Sequence, residues 1–296
     1  MKRIVLKLLV ASAALIWLDD GCIAQCHAGE GVKLTFIGTG HGRVTALRAN
    51  SCTLVQGGGK TYVVDVCDGA AGRIMKSGTH ITDIDAVFIT HDHLDHCWGL
   101  PFLIQQITSW NEKKEPFHSR NKDKRYDVFL PSELLACGLD VICKASHIQE
   151  NPNVALKRFK EGVIFDDGNL TVTAIGNDHS VRDRNGEFTS YSFLFEFVSG
   201  EKIYFSGDLG RHFDLSVDTI NSAGGVDLLV CELVHFDTAL AYDKLNGLKA
   251  ERICFTHYDD QWEGEGAAEL FNEFSSHFRT PAELVTDDDV RIVRKR

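Results

Sequence analysis

Thr90-His91-Asp92-His93-Leu94-Asp95-His96 places three imidazoles and an inner carboxylate within one short segment. The preceding residues 84–89 are apolar and rich in β-branched side chains, so they predict a buried strand that ends where the cluster begins. Binding sites in α/β proteins lie at that end of the strands. The donors are too close together to serve one ion comfortably, so the segment predicts two metal ions, typically about 3.5 to 4 Å apart and bridged by a carboxylate.

The composition favours one well-packed catalytic domain, which we expect to span residues 29–296. Of the 296 residues, 44% are hydrophobic and only 5 are proline. Strand and helix signals alternate along the chain, which predicts an α/β fold. The formal net charge of −11 lacks the positive field that usually supplies affinity for a phosphate backbone. It does not exclude a nucleic acid, but a small anionic ester is easier to accommodate.

The N-terminus has the pattern of an export signal. Basic residues near the start precede an apolar run over residues 8–18, which is too short to span a bilayer as a helix. We therefore expect residues 1–28 to be a signal peptide cleaved near Ala24 or Ala28, with no stable membrane insertion afterwards. This predicts a periplasmic or secreted protein; the alternative is a cytoplasmic protein with an uncleaved apolar N-terminal helix.

The cysteines give no metal or redox motif, because no Cys-x-x-Cys pair occurs among the nine. Cys67, Cys231 and Cys254 lie in apolar strand-like runs, where a free thiol behaves as a small buried hydrophobe. Cys137 and Cys143 could form a bridge after export, but spacing alone leaves the pairing open.

Three distant residues are candidates to complete the metal site. His179, Asp208 and His257 each end a strand-like run. Ligands at equivalent strand ends can converge on one edge of a sheet although they are far apart in sequence. We therefore expect them to join the 90–96 cluster.

Taken together, these motifs resemble the metallo-β-lactamase-fold hydrolases, and within them the branch that contains ribonuclease Z. The resemblance covers nearly all of residues 29–296 and rests on motifs that occur in the family's order: Phe36-Ile37-Gly38-Thr39-Gly40, Arg48-Ala49-Asn50-Ser51-Cys52, the strand with Asp65, residues 89–96 with Gly99-Leu100-Pro101, Ser206-Gly207-Asp208 and Thr256-His257. It implies an α/β fold with the four-layer αββα sandwich of that family.

The resemblance also implies a ligand set for two Zn²⁺ ions, although other divalent metals are possible. One ion would be held by His91, His93 and His179, and the other by Asp95, His96 and His257, with Asp208 as the bridge. Imidazole nitrogen and carboxylate oxygen are ordinary zinc ligands, and catalytic zinc keeps a position for water. A hydroxide shared by the ions would be the nucleophile, so Asp95 and Asp208 count among the catalytic residues.

Two further catalytic candidates follow the strand-like run that starts at Val226. The run ends at Glu232, as in the family, and His235 follows it. Their expected task is support of the metal ligands or proton delivery to the leaving group. In ribonuclease Z the assisting histidine stands farther beyond this glutamate, so a polar residue on a surface loop is the alternative for His235. His41 could face the site or simply belong to a turn. The remaining histidines of the mature chain lack a ligand-like setting: His80, His118, His147, His212 and His277.

One departure from ribonuclease Z concerns the substrate. Its tRNA-gripping arm lies between the positions that match His179 and Asp208, but here only residues 180–207 separate them, and two predicted strands occupy much of that stretch. No tRNA-binding arm is therefore expected. We predict hydrolysis of a small phosphodiester, including cyclic nucleotides, or of a sulfate ester as in arylsulfatases.

Several alternatives stay open. They are a ribonuclease Z-type endonuclease, a lactonase and a non-catalytic metal-binding protein of the same fold, with β-lactam hydrolysis a poorer match. His93-Leu94-Asp95-His96 also resembles the core of class II cyclic-nucleotide phosphodiesterases, from which Cys97 and Pro101 depart. A homodimer is possible. The charged segment 111–125 reads as a solvated surface loop, with a loop over the site as the functional alternative.

Overall fold

In the part of the chain that the structure describes, the strand-like runs build two mixed sheets of seven strands each. The computed structural model describes residues 31–112, 123–146, 148 and 153–295. The predicted signal peptide, most of the charged segment 111–125, His118 and His147 lie outside the described residues. Within the described part, no helix is long and apolar enough to cross a membrane.

The first sheet has the order β14-β1-β2-β3-β4-β5-β6. Its strands are β1 (Val32–Gly38), β2 (Cys52–Gly57), β3 (Lys60–Val64), β4 (Ala86–Phe88), β5 (Tyr126–Leu130), β6 (Val154–Arg158) and β14 (Val290–Val293). Strands β2 and β3 form a hairpin; its turn contains Gly58 and Gly59, both at positive φ. Strands β3 to β6 run parallel to one another, so their carboxyl ends share one edge.

The second sheet has the order β13-β12-β11-β10-β9-β8-β7. Its strands are β7 (Gly162–Asp166), β8 (Leu170–Gly176), β9 (Tyr191–Phe197), β10 (Lys202–Phe205), β11 (Leu228–Leu233), β12 (Ile253–Tyr258) and β13 (Ala282–Leu284). Strands β10 to β13 are parallel. Strand β9 is antiparallel to both β8 and β10, so β8 also points in the common direction.

Among the described residues, seven α-helices connect the strands. They are α1 (Ala70–Lys76), α2 (Leu94–Cys97), α3 (Leu100–Glu112), α4 (Glu133–Ala145), α5 (Val217–Ser222), α6 (Ala241–Gly247) and α7 (Ala267–Ser275). Helix α4 begins at a serine cap, because the Ser132 hydroxyl accepts a hydrogen bond from the Leu135 N–H. The short helix α2 and the start of α3 follow directly from the metal-loop sequence.

Three buried clusters define the layers. The largest lies between the sheets, where Phe88 and Phe193 from opposite sheets meet with their ring centroids 6.1 Å apart. A second cluster packs α1, α3 and α4 on the outer face of the first sheet, and a third packs α5, α6 and α7 on the outer face of the second. This arrangement confirms the predicted four-layer αββα sandwich.

Some sequence-based details were wrong. Strands β11 and β12 each continue one residue past the predicted end, so Glu232 and His257 lie within the strands rather than at their last position. Cys137 and Cys143 are both free and lie on α4, where a separation of six residues does not place side chains on the same face. The bridge considered for them is therefore not formed. Cys67, Cys231 and Cys254 are buried free thiols, as expected.

Candidate metal centre

The site lies where the carboxyl edges of the two sheets meet. Strands β3 and β4 of the first sheet end beside β8, β10, β11 and β12 of the second. The two sheets are joined at this point because the Tyr191 N–H donates to the Thr90 carbonyl at 3.0 Å, and His91 pairs with Ser190. Side chains that follow these strands therefore converge from both halves of the sandwich.

One group of donors combines His91, His93, His179 and Asp208, whose ligand atoms lie within 4.8 Å of one another. His93 Nδ1 lies 2.9 Å from His91 Nε2 and 3.1 Å from His179 Nε2. Asp208 Oδ2 faces the group at 3.5 Å from His91 Nε2 and 3.6 Å from His179 Nε2. These are the residues predicted for the first ion.

The second group combines Asp95, His96, His257 and, again, Asp208. His257 Nε2 lies 3.2 Å from both His96 Nε2 and Asp95 Oδ2. Asp208 Oδ1, the other oxygen of that carboxylate, lies 3.3 Å from His96 Nε2. The structure therefore brings all seven predicted ligands together, and Asp208 presents one oxygen to each group.

The chemistry of the donors fits two divalent cations. Each pair of facing ring nitrogens needs either a shared proton or a cation between its lone pairs. Burial lowers the pKa of His91 well below its ordinary value, which keeps that imidazole neutral. Asp208 Oδ1 and His257 Nδ1 are buried without a hydrogen-bond partner. A set of neutral imidazoles and carboxylates is what zinc and similar divalent metals bind.

Asp208 stays charged although it is only 2% exposed. Burial by itself would raise its pKa, but the surrounding imidazoles, led by His257 and His96, outweigh that effect and hold the pKa well below the usual range. The carboxylate is therefore available to cations on both sides.

Asp65 supports a metal donor, whereas the sequence alone identified it only as part of a strand. It follows β3 at positive φ, and its carboxylate accepts hydrogen bonds from the Thr90 N–H at 2.8 Å and the Thr90 hydroxyl at 3.0 Å. The same carboxylate lies 2.7 Å from His96 Nδ1 and so directs His96 Nε2 towards the metal group. Burial would lower the pKa of His96, but Asp208 and Asp65 together raise it well above normal. Its position after a strand parallel to β4 was the signal that could have identified it.

Glu232 orients His235 at the opposite side of the centre. Glu232 Oε2 accepts from the N–H groups of Val234 and His235 at 2.7 and 3.0 Å, and Oε1 accepts from the Leu209 N–H at 2.9 Å. His235 Nδ1 lies 3.2 Å from Glu232 Oε1 and 3.7 Å from Asp208 Oδ2. The His235 ring is thus beside the metal ligands and one-third exposed, rather than on a remote surface loop.

The electrostatic surroundings favour a protonated His235. Burial lowers its pKa, but the hydrogen bond to Glu232 and the negative charges of Glu232 and Asp208 outweigh burial and raise the pKa above its ordinary value. This side chain can therefore carry a proton at the mouth of the site.

The other histidines lie in different surroundings. His41 is buried, its Nε2 has no hydrogen-bond partner, and its neighbour Gly42 lies against Asp95, since a Cβ there would be 3.4 Å from Asp95 Oδ2. His80 caps a short 3-10 turn through the Thr82 N–H. Within the described ranges, His212 and His277 belong to no group of metal donors.

Related proteins support the same class. A ribonuclease Z from Brevibacillus brevis is 25% identical over an alignment that covers 89% of this chain and 97% of that protein. The match to ribonuclease Z from Oenococcus oeni, also 25% identical, spans about half of each protein, 51% of this chain and 46% of the relative.

Solved structures share the fold. The short form of human tRNase Z superposes with a TM-score of 0.67 at 19% identity, covering 88% of this chain and 99% of the other. The metallo-β-lactamase fold protein YhfI from Bacillus subtilis gives 0.66 at 17% identity with the same coverage. A diphosphatase from the PhnP family gives 0.62 at 18% identity, covering 89% and 98%.

The fold and the double donor group define a metallo-β-lactamase-fold, metal-dependent hydrolase of the ribonuclease Z-like branch. The family can be stated more closely. A family model described as anti-Pycsar protein Apyc1 matches residues 32–279, and the chain belongs to that family.

Replacing Asp65 by Asn should weaken metal binding by about 10- to 100-fold, because the amide no longer supplies the charge that orients His96. Competitive titration of the apoprotein with a zinc chelator measures this. The exposed neighbour Asp68, replaced by Asn, is the matched control and should bind as the wild type does. Wild-type affinity in Asp65→Asn would contradict the orienting role.

Proposed function

We propose that the protein is a dinuclear metallohydrolase that cleaves a small phosphodiester. The observation that carries this proposal is the bridging position of Asp208, whose two oxygens face two separate histidine groups. His91, His93 and His179 would hold one ion, and Asp95, His96 and His257 the other. Zn²⁺ is the proposed metal in both positions because imidazole nitrogens dominate the donor set.

When bound, such a pair of ions supplies Lewis-acid stabilisation of the transferring phosphoryl group and acidifies a water nucleophile. The contribution of the chain is to fix the donors and to exclude alternative geometries. Asp65 holds the His96 ring, and the Leu209 carbonyl lies 3.3 Å from His179 Nδ1, which directs His179 Nε2 towards the centre. The donors are therefore oriented before any substrate arrives.

His235 is the proposed proton donor to the leaving oxygen. Its Nδ1 is engaged by Glu232, which leaves Nε2 as the atom that can transfer a proton to a substrate. Its location beside His179, with ring centroids 4.5 Å apart, places it next to the first metal group. Glu232 acts by positioning this ring and holding its charge.

Two features of the chain around the site support a small substrate. Residues 180–207 contain all of β9 and β10, so no arm extends from this stretch. The net charge of −11 also gives no general attraction for a polynucleotide. The curated relatives are named ribonuclease Z, which favours phosphodiester chemistry at the same kind of centre. A small phosphodiester such as a cyclic nucleotide suits both observations, and a sulfate ester is the nearest competitor.

We also propose that the protein is exported and acts in the periplasm or outside the cell. The support is the basic and apolar pattern of residues 1–28. N-terminal sequencing of the protein purified from its native host should give a start at residue 25 or 29. A start at Met1 in a cytoplasmic fraction would contradict export.

A substrate panel tests the reaction class. The metal-loaded protein should cleave bis-p-nitrophenyl phosphate and cyclic nucleotides faster than aryl sulfates, lactones, β-lactams and a precursor tRNA. Asp208→Ala should lose activity and retain one ion or none, because both donor groups lose an oxygen. Bound metal without turnover of any ester would favour a binding protein, and efficient tRNA cleavage would favour a ribonuclease Z-type endonuclease.

Replacing His235 by Ala should lower kcat by about 10²- to 10⁴-fold for a substrate with a basic alkoxide leaving group, because the proton donor is lost. The loss should be smaller with p-nitrophenolate, which departs without protonation, and both ions should remain bound. Metal analysis and the two kcat ratios measure this. Equal losses for the two leaving groups would exclude proton donation, and loss of metal would show a ligand or structural role.

A further inference from the structure

Arg48 is a buried charge that the proposed reaction does not use. Its side chain is 3% exposed, and its described hydrogen bonds go to Glu263, Thr39 and Tyr258 rather than to a metal donor. Nη1 donates to the Thr39 carbonyl and Nη2 to the Tyr258 carbonyl, both at 2.9 Å. The guanidinium also stacks on the Tyr258 ring at 3.8 Å from its centroid and forms an ion pair with Glu263. A cation so fully engaged holds its partners in fixed positions.

The residue next to Tyr258 is the metal donor with an unusual backbone. His257 has φ 48°, in the left-handed region that residues with a Cβ rarely occupy. It is also the extra residue of a bulge, because Glu232 pairs with Thr256 and Leu233 pairs with Tyr258. A bulge of this kind changes the direction of a side chain. The bulge points the His257 ring towards the other members of the second donor group. The Tyr258 carbonyl, one residue further along the chain, is held in place by Arg48.

The other bond of Arg48 reaches the opposite side of the same group. Thr39 begins the loop that continues through Gly40 and His41 to Gly42, which lies against Asp95. Gly40 also pairs with Tyr258 as an isolated bridge. One planar guanidinium therefore ties together the segments that carry or contact Asp95 and His257. Glu263 neutralises its buried charge at the same time.

We infer that Arg48 is a positioning residue for the second metal ion, acting through the backbone of Tyr258 on His257. This inference rests on the proposed two-ion centre. The inference predicts that replacing Arg48 weakens binding of the second ion only, because Arg48 has no described contact with His91, His93 or His179. A lysine at this position keeps the charge but cannot bond both carbonyls with a rigid fork.

The test compares Arg48→Lys with Arg291→Lys. Arg291 binds Glu283 through Nε and Nη2, both at 2.9 Å, and Glu283 belongs to none of the donor groups, so the Arg291 variant loses the same kind of two-bond contact elsewhere. Apoprotein is titrated with Co²⁺, followed by its visible spectrum and by metal analysis after gel filtration. Wild type and Arg291→Lys should bind two ions. Arg48→Lys should bind the first ion normally and the second about tenfold or more weakly, and excess metal should restore kcat.

The outcomes separate the two hypotheses. A wild type that binds fewer than two ions contradicts the dinuclear proposal itself. If the wild type binds two, then wild-type affinity for both ions in Arg48→Lys overturns the positioning role, as does an equal loss at both sites, which would indicate a general structural role. Circular dichroism checks folding. If Arg48→Lys does not fold, Glu263→Gln, which frees the guanidinium, should show the same selective loss, and its absence overturns the inference.

Discussion

The metal centre depends on the carboxylate of Asp208, which lies where burial of a charge is energetically unfavourable. Asp208 is almost fully buried, one of its oxygens has no hydrogen-bond partner, and its nearest polar neighbours are imidazoles. A buried charge requires compensation of comparable strength. The surrounding histidines supply that compensation and keep the carboxyl ionised. The remaining six donors gather around the two oxygens of this carboxylate.

The backbone adopts uncommon conformations to bring these donors together. Asp65 and His257 both have positive φ, and Gly207, at φ 57°, precedes Asp208. A Cβ on Gly207 would stand 2.7 Å from the Tyr191 carbonyl, so only glycine fits where the two sheets are joined. Such conformations persist only where the surroundings fix them, and they concentrate at functional sites. Here His257 is itself one of the metal donors, Asp65 orients another, and Gly207 directly precedes a third.

The sequence predicted the donors because each is local to a recognisable pattern. Residues 90–96 form one motif, and His179, Asp208 and His257 each follow an apolar run. The supports could not be found in this way, because they are contacts between distant residues. Asp65 meets His96 across 31 positions, and Arg48 meets Tyr258 across 210. Strand β14 depends on a distant contact in the same way, since it is held by pairing with β1 at the other end of the chain. Nothing in the residues near Arg48 shows that its charge is buried.

The metal centre and the choice of substrate are separate problems in this fold. A pair of cations stabilises charge on the group being transferred and is indifferent to what that group is attached to. Selection must come from the surroundings, and here β9 and β10 follow closely after the loop that begins at His179. A polymer would have to be held by surfaces beyond the centre, whereas the proposed small diester would be held by the donors and His235. The short connection between His179 and Asp208 is therefore a stronger argument for the proposed small substrate than the seven donors are.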